Sequence, residues 1–315
     1  MTRIGTSDLD VFPLCLGGNV FGWTADRDES FAILDAFTEG GGDFVDTADG
    51  YSAWVPGNSG GDSERIIGAW LAAHPSADLK IATKVSRHPE FPGLKNIRGA
   101  AEASLERLGV DTIDLYYAHY DDPEVPLADA VSAFGKLVDD GLVRTIGLSN
   151  FTPERIREWM LTAADLGVAQ PVALQPHYNL VHRFEVESEL APIAEEFGLG
   201  ILPYYALASG FLTGKYRSPD AEGGASPRAK GAAKYATPQG LQVLQVLERI
   251  AGAPASTMAA VSLAWLREQP HVVAPIASAS RVEQVADLLA SATLHLTDAE
   301  LEELSVVSEW TPTDI

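Results

Sequence analysis

Short apolar and β-branched runs alternate with stretches of helical period along the whole chain. Residues 13–16, 44–47, 79–84, 115–118, 145–148, 172–175, 200–203 and 272–276 are predicted as eight strands. Most are apolar throughout, the pattern of strands covered on both faces. Between them, helices show in their period and caps. Leu127, Val131, Phe134 and Val138 fall on one helical face, with Gly141 placed to end that helix. Thr152-Pro153 reads as an N-cap and first-turn proline, opening a helix that runs to Gly167. Ser280 with Glu283, and Thr297 with Glu300, both have the capping-box spacing. Eight βα units with no interrupting linker favour a closed (β/α)8 TIM barrel, one domain over residues 1–315, above an open doubly wound sheet.

Two stretches break the rhythm. Residues 218–237 are rich in Ala, Gly, Pro and Lys without apolar period, and residues 52–62 are irregular around Trp54 and Pro56. Long structureless loops inside a compact domain are more often functional than linking.

Composition narrows the class. With 46% hydrophobic and 21% charged residues the chain is globular, and 22 basic against 44 acidic residues give a net charge of −22. Such a surface repels nucleic-acid phosphates and anionic membranes, which excludes nucleic-acid binding. The lone Cys15 rules out an intramolecular disulfide or a thiolate metal cluster and, lying in an apolar run, reads as a packed core thiol. Residues 1–5 lack the apolar region of a signal peptide, and no run of about 18 apolar residues occurs. A cytoplasmic protein outside the membrane is expected.

Motif searches remove several chemistries. There is no G-x-G-x-x-G, H-E-x-x-H or G-x-S-x-G, and the histidines lack metal-ligand spacing. The segment from Gly210 to Tyr216 is one residue short of a P-loop, with Tyr216 where a Ser or Thr would hold Mg²⁺. What remains lies at strand ends, where barrel active sites are built. Asp46, Lys84 and His119 end the second, third and fourth strands, and Tyr51 lies just past the second. Singly, each has an ordinary reading as a turn cap, a loop aromatic, a snorkelling lysine or a core histidine. Together they form a proton-transfer device.

At these residues the sequence resembles the aldo-keto reductase family over essentially its whole length. The resemblance rests on Asp43-Phe44-Val45-Asp46-Thr47-Ala48-Asp49-Gly50-Tyr51 with Ser63-Glu64-Arg65-Ile66-Ile67-Gly68. It continues in order through Ala82-Thr83-Lys84-Val85, Asp114 to His119, Gly147-Leu148-Ser149-Asn150-Phe151, Gln175 and Tyr178-Asn179. It implies a barrel with an N-terminal capping hairpin and long βα loops. It also implies a tetrad of Asp46, Tyr51, Lys84 and His119 that reduces a carbonyl with hydride from NADP(H), NAD(H) being the lesser candidate. The expected logic is that Lys84, paired with Asp46, lowers the pKa of the Tyr51 phenol, ordinarily about 10. His119 would donate to the carbonyl oxygen. Relatives that reduce enone double bonds carry an acid at this histidine, so its retention predicts C=O reduction.

The same resemblance places Ser149, Asn150 and Gln175 on the nicotinamide carboxamide and Tyr204 on its ring. Gly18, Asn19 and Lys215 line the pyrophosphate channel, Leu207, Ser209 and Gly210 bind the cofactor from the stretch after the seventh strand, and Arg228 clasps the pyrophosphate from the 218–237 loop, read as a lid. Here Tyr205-Ala206 stands where the family usually has Ser-Pro. Ser278, Ser280, Arg281, Gln284 and Asp287 form the adenine and 2′-phosphate side, a role a helix N-terminus and an arginine suit. Asp287-Leu288 replaces the usual Glu-Asn, and Ser280 stands where many members carry Arg. Trp23, Trp54 and Tyr120 are expected to wall the substrate pocket for a small carbonyl compound. The competing reading is a cofactor-bound regulatory barrel resembling potassium-channel β subunits; a metal-dependent hydrolase using Asp46, His119 and Asp121 lacks a ligand cluster.

Overall fold

The structure, a computed structural model, describes residues 1–86, 93–218, 229–252 and 256–309. Eight strands are parallel neighbours: β3 (Cys15–Gly17), β4 (Phe44–Asp46), β5 (Lys80–Val85), β6 (Ile113–Ala118), β7 (Val143–Ser149), β8 (Ala173–Gln175), β9 (Gly200–Ile201) and β10 (Ile276–Ala277). The sheet runs β10-β3-β4-β5-β6-β7-β8-β9. Backbone bonds from Ile201 N–H to His271 O (2.8 Å), Val273 N–H to Ile201 O (2.9 Å) and Ile276 N–H to Pro203 O (2.9 Å) join its two ends. The sheet therefore closes into a (β/α)8 barrel.

The final strand differs from the expected 272–276. Val272 forms an isolated bridge with Ile201 and Val273 N–H donates to Ile201 O, whereas Ile276 and Ala277 pair with Cys15 and Leu16 of β3. The chain crosses from one neighbour to the other, and its apolar run is longer than its strand.

The wall alternates with period two although both faces are apolar. Cys15, Phe44, Ala82, Leu115, Tyr117 and Ala173 pack in one cluster, inside the barrel. Their neighbours Leu16, Val45, Ile81, Tyr116 and Leu174 belong to the other, between wall and helices. Gly147 makes this interior possible, because a Cβ there would sit 2.3 Å from the Tyr117 ring. The hairpin of β1 (Thr2–Arg3) and β2 (Asp10–Val11) adds buried Ile4, Leu9 and Val11 to the inner cluster. Cys15 is fully buried there, and burial pushes its thiol well above the usual range.

Outside lie α1 (Arg27–Glu39), α2 (Asp62–Ala73), α3 (Ile97–Leu108), α4 (Leu127–Asp139), α5 (Pro153–Leu166), α6 (Ala191–Phe197), α7 (Ala229–Ala233), α8 (Pro238–Ala251), α9 (Met258–Arg267), α10 (Val285–Ala290) and α11 (Asp298–Val307). The Thr152 hydroxyl accepts from Arg155 N–H, and Gly167 ends α5 with φ +66°. The Thr297–Glu300 capping box forms as its spacing predicts. The Ser280–Glu283 box does not. Gln284 Oε1 instead accepts from Ser280 N–H (2.8 Å), Ser280 Oγ (3.2 Å) and Arg281 N–H (3.2 Å), and Arg281 caps a short 3-10 turn over Val282–Gln284.

Candidate active site

The inward register of the strands continues upward into polar residues. Asp46 lies two beyond Phe44, Lys84 two beyond Ala82, His119 two beyond Tyr117 and Gln175 two beyond Ala173. The alternation that fills the barrel therefore delivers these side chains to its C-terminal mouth. Tyr51 comes from the turn after β4, held by Tyr51 N–H donating to Ala48 O.

Lys84 is fully buried and organises the group. Its ammonium has three protons and no acceptor. They go to Asp46 Oδ2 (2.6 Å), the Thr47 carbonyl (2.6 Å) and Tyr51 Oη (3.1 Å). The second Asp46 oxygen accepts from Gln175 Nε2 at 2.8 Å, so the carboxylate is held on both sides. As a donor the Tyr51 hydroxyl makes a long contact to Asp46 Oδ2, 3.4 Å. Burial and the Asp46 charge push the phenol well above its usual range, which corrects the expectation that Lys84 lowers it in the free site. The phenol thus keeps its proton near neutral pH, while the ammonium on Oη is positioned to stabilise the oxygen once that proton leaves.

His119 lies edge-on to Tyr51, ring centroids 6.3 Å apart, and stacks on Tyr120 at 4.6 Å. Burial and nearby Lys84 drive its pKa well below the usual value, so the imidazole is neutral. Trp54 meets Trp23 at 5.5 Å and Tyr51 at 6.4 Å, so Trp23 and Trp54 lie on the Tyr51 side and Tyr120 on the His119 side of the group. Exposed Tyr205, which the sequence reading did not assign to the pocket, joins them beside Tyr204 at 5.2 Å.

Behind the tetrad lies a buried network that motif reading missed. Glu64, with no solvent exposure, accepts from Thr83 Oγ1 (2.6 Å) and Arg107 Nε (2.6 Å). The Thr47 and Ser63 hydroxyls share a 2.8 Å bond, and Ser63 donates to Gly18 O. A polar residue every few positions within apolar runs was the available signal.

The cofactor-side candidates fall into two groups. Ser149, Asn150, Gln175 and Tyr204 form one chain, in which Ser149 Oγ donates to Gln175 O (2.8 Å), Asn150 Nδ2 to Ser149 Oγ (3.0 Å) and Tyr204 Oη to Asn150 Oδ1 (2.9 Å). Stacking of Tyr204 on His177 at 5.6 Å fixes its ring as a plate. On the opposite side, Ser278 Oγ donates to Asn19 Oδ1 (2.6 Å), joining the ends of β10 and β3 beside buried Gly18. Leu207 leads into a 3-10 turn where Ala208, Ser209 and Gly210 all have positive φ (50°, 57° and 91°). Non-glycine residues held this way mark a constrained, functional loop. Lys215 and Arg281 are exposed, and among the described residues neither is ion-paired; Asp287 is exposed in the first turn of α10. Arg228 lies outside the described residues. A fixed aromatic plate, amide groups and two open cations suit a nicotinamide dinucleotide. Among the described residues no group of three His, Cys, Asp or Glu side chains could hold a metal ion.

A phenol, an ammonium and an imidazole thus converge inside the mouth of a parallel barrel, an arrangement suited to proton transfer. Comparison with known proteins agrees. The model of the aldo/keto reductase family matches residues 13–309. The chain is 33% identical over 307 residues to the uncharacterized oxidoreductase YrpG of Bacillus subtilis (strain 168), covering 94% of this chain and 91% of that protein. It is 30% identical over 297 residues to a probable voltage-gated potassium channel subunit beta of Oryza sativa subsp. japonica (90% and 88% covered). Norsolorinic acid reductase B of Aspergillus parasiticus is 29% identical over 328 residues (97% and 83% covered). The chain belongs to the aldo/keto reductase family and is an NAD(P)H-dependent oxidoreductase that reduces carbonyl groups. Among the described residues no helix is long and apolar enough to cross a membrane.

Proposed function

We propose that one barrel domain, residues 1–315, reduces aldehydes or ketones to alcohols in the cytoplasm with NADPH in preference to NADH, and that Tyr51 is the general acid. The observation that carries this reading is the Lys84 ammonium spending its three protons on Asp46, Thr47 O and Tyr51 Oη. The bound nicotinamide supplies hydride to the carbonyl carbon. Tyr51 gives its proton to the oxygen, and Lys84 stabilises the phenolate left behind, itself held by Asp46. His119, neutral, orients the carbonyl oxygen. Ser149, Asn150, Gln175 and Tyr204 would hold the nicotinamide; Gly18, Asn19 and Lys215 would line the pyrophosphate channel with Arg228 as its clasp, and Leu207, Ser209 and Gly210 would bind the cofactor from the stretch after Tyr204. Ser278, Ser280, Arg281, Gln284 and Asp287 receive the adenosine and its 2′-phosphate. Trp23, Trp54 and Tyr120 wall the substrate.

The test follows NADPH absorbance with a panel of aromatic and aliphatic aldehydes for wild type and Tyr51→Phe. A fall of about 10² to 10⁴-fold in the variant is expected. Equal rates would refute the acid role. Similarity to channel-subunit relatives favours one second reading, a cofactor-holding regulatory barrel. Tight NADPH binding without turnover of any panel member would select it.

A further inference from the structure

The mechanism above uses His119 but leaves open which ring nitrogen carries its proton. A neutral imidazole has one N–H, and orienting a carbonyl oxygen requires that this N–H face the mouth. His119 Nδ1 lies 3.1 Å from Ser86 Oγ, so Nε2 is the nitrogen free to reach substrate. Nε2 carries the proton only if Nδ1 accepts, which requires the Ser86 hydroxyl to donate to it.

A carboxylate lies beside the same residue. Asp49 is almost fully buried, and its Oδ1 accepts the Ser86 backbone N–H at 2.9 Å. Asp49 is also pinned through its backbone, its N–H donating to Lys84 O and its carbonyl accepting from Gly61 N–H. Hydrogen bonding from the Ser86 side chain and backbone opposes the effect of burial on the Asp49 carboxyl. Gly50 leaves room for this meeting, since a Cβ there would lie 2.9 Å from Ser86 Oγ.

We propose that Ser86 and Asp49 are positioning residues: the Ser86 hydroxyl selects the His119 tautomer, and the charge on Asp49 selects where that hydroxyl points. This rests on the role assigned to His119 above. With Asp49 protonated, Ser86 donates to Nδ1 and Nε2–H faces the substrate. With Asp49 ionised, the carboxylate takes the hydroxyl proton, Nδ1–H donates to Ser86 Oγ, and Nε2 presents a lone pair. The change is balanced by one proton lost from Asp49 and one moved from Nε2 to Nδ1. Burial, reinforced by Glu64 and opposed by Arg107, raises Asp49 to about 6. Buried Tyr116 faces the same carboxyl from β6, and Lys84 acts on His119 itself.

The experiment is nitrogen NMR of protein labelled with ¹⁵N-histidine, without cofactor or substrate, at about pH 5 and about pH 8. His119 is assigned with His119→Gln. Wild type is expected to pass from Nε2–H to Nδ1–H with a midpoint near 6. Asp49→Asn stays Nε2–H at both pH values, Ser86→Ala loses the pH response, and Ser86→Thr keeps it. Tyr51→Phe keeps it too, so loss of the acid role and loss of this device are separate results. In wild type kcat/KM for reduction falls above the same midpoint, and in Asp49→Asn it does not. One tautomer in wild type at both pH values, or an unchanged response in Ser86→Ala, would overturn the proposal.

Discussion

The floor of the mouth and its rim are built on opposite plans. On the floor, Lys84 pairs with Asp46 and Arg107 with Glu64 at 2.6 Å each, and all but the half-buried Arg107 are shut away from solvent. Along the rim, Lys215 and Arg281 stand exposed without ion-pair partners among the described residues. Buried charges must be paired to exist at all, so the floor is fixed before any ligand arrives. Open cations on a chain of net charge −22 keep their attraction for an anionic ligand. Floor substitutions should therefore change stability and chemistry together, and rim substitutions affinity alone.

The sharpest break is Lys84→Met, which strands the buried Asp46 carboxylate. Unfolding in urea should show a loss of roughly 3–5 kcal/mol, with catalytic activity falling at least as far as in Tyr51→Phe. A smaller floor effect is pH-dependent. The Asp49 carboxyl rises from 3.8 to about 6 on folding, so the folded state favours its protonated form. That cost, about 3 kcal/mol, is absent below the unfolded value, grows through the interval and is complete above the folded one. Asp49→Asn should thus gain stability over wild type as pH rises through this window, and match it near pH 3.8. On the rim, Arg281→Ala should weaken NADPH binding by about tenfold, measured by fluorescence titration, and leave NADH binding and urea stability unchanged. An equal loss for both cofactors would move the 2′-phosphate elsewhere. Smallest is Thr297→Ala, far from both regions, which should lower the thermal midpoint by the equivalent of about 1 kcal/mol and spare activity.

Legibility follows the same division. Strand positions were readable as apolar runs, and polar residues at or next to the ends of several of them located Asp46, Lys84 and His119. Register was not: the 272–276 run serves β9 first and β3 afterwards, a division that depends on closure. Nor was the sign of the Tyr51 shift, because sequence supplies the neighbouring lysine but not the burial and the facing carboxylate that outweigh it. Ser86 escaped because a lone serine carries no motif, although it lies two beyond Lys84 in the same inward register, and Asp49 stood within the signature run with nothing in the sequence to give it a role. The Ser280 cap failed because serine followed by both Glu283 and Gln284 leaves two candidate partners, and only packing decides.

The chain has a single cysteine, and it sits inside the barrel beneath the N-terminal hairpin. That gives the molecule a stopwatch. A thiol reagent in excess can label Cys15 only when the hairpin lifts or the wall parts, so its labelling rate counts barrel openings one molecule at a time. Each opening yields at most one adduct and no disulfide can form within the chain, which frees the record from scrambling.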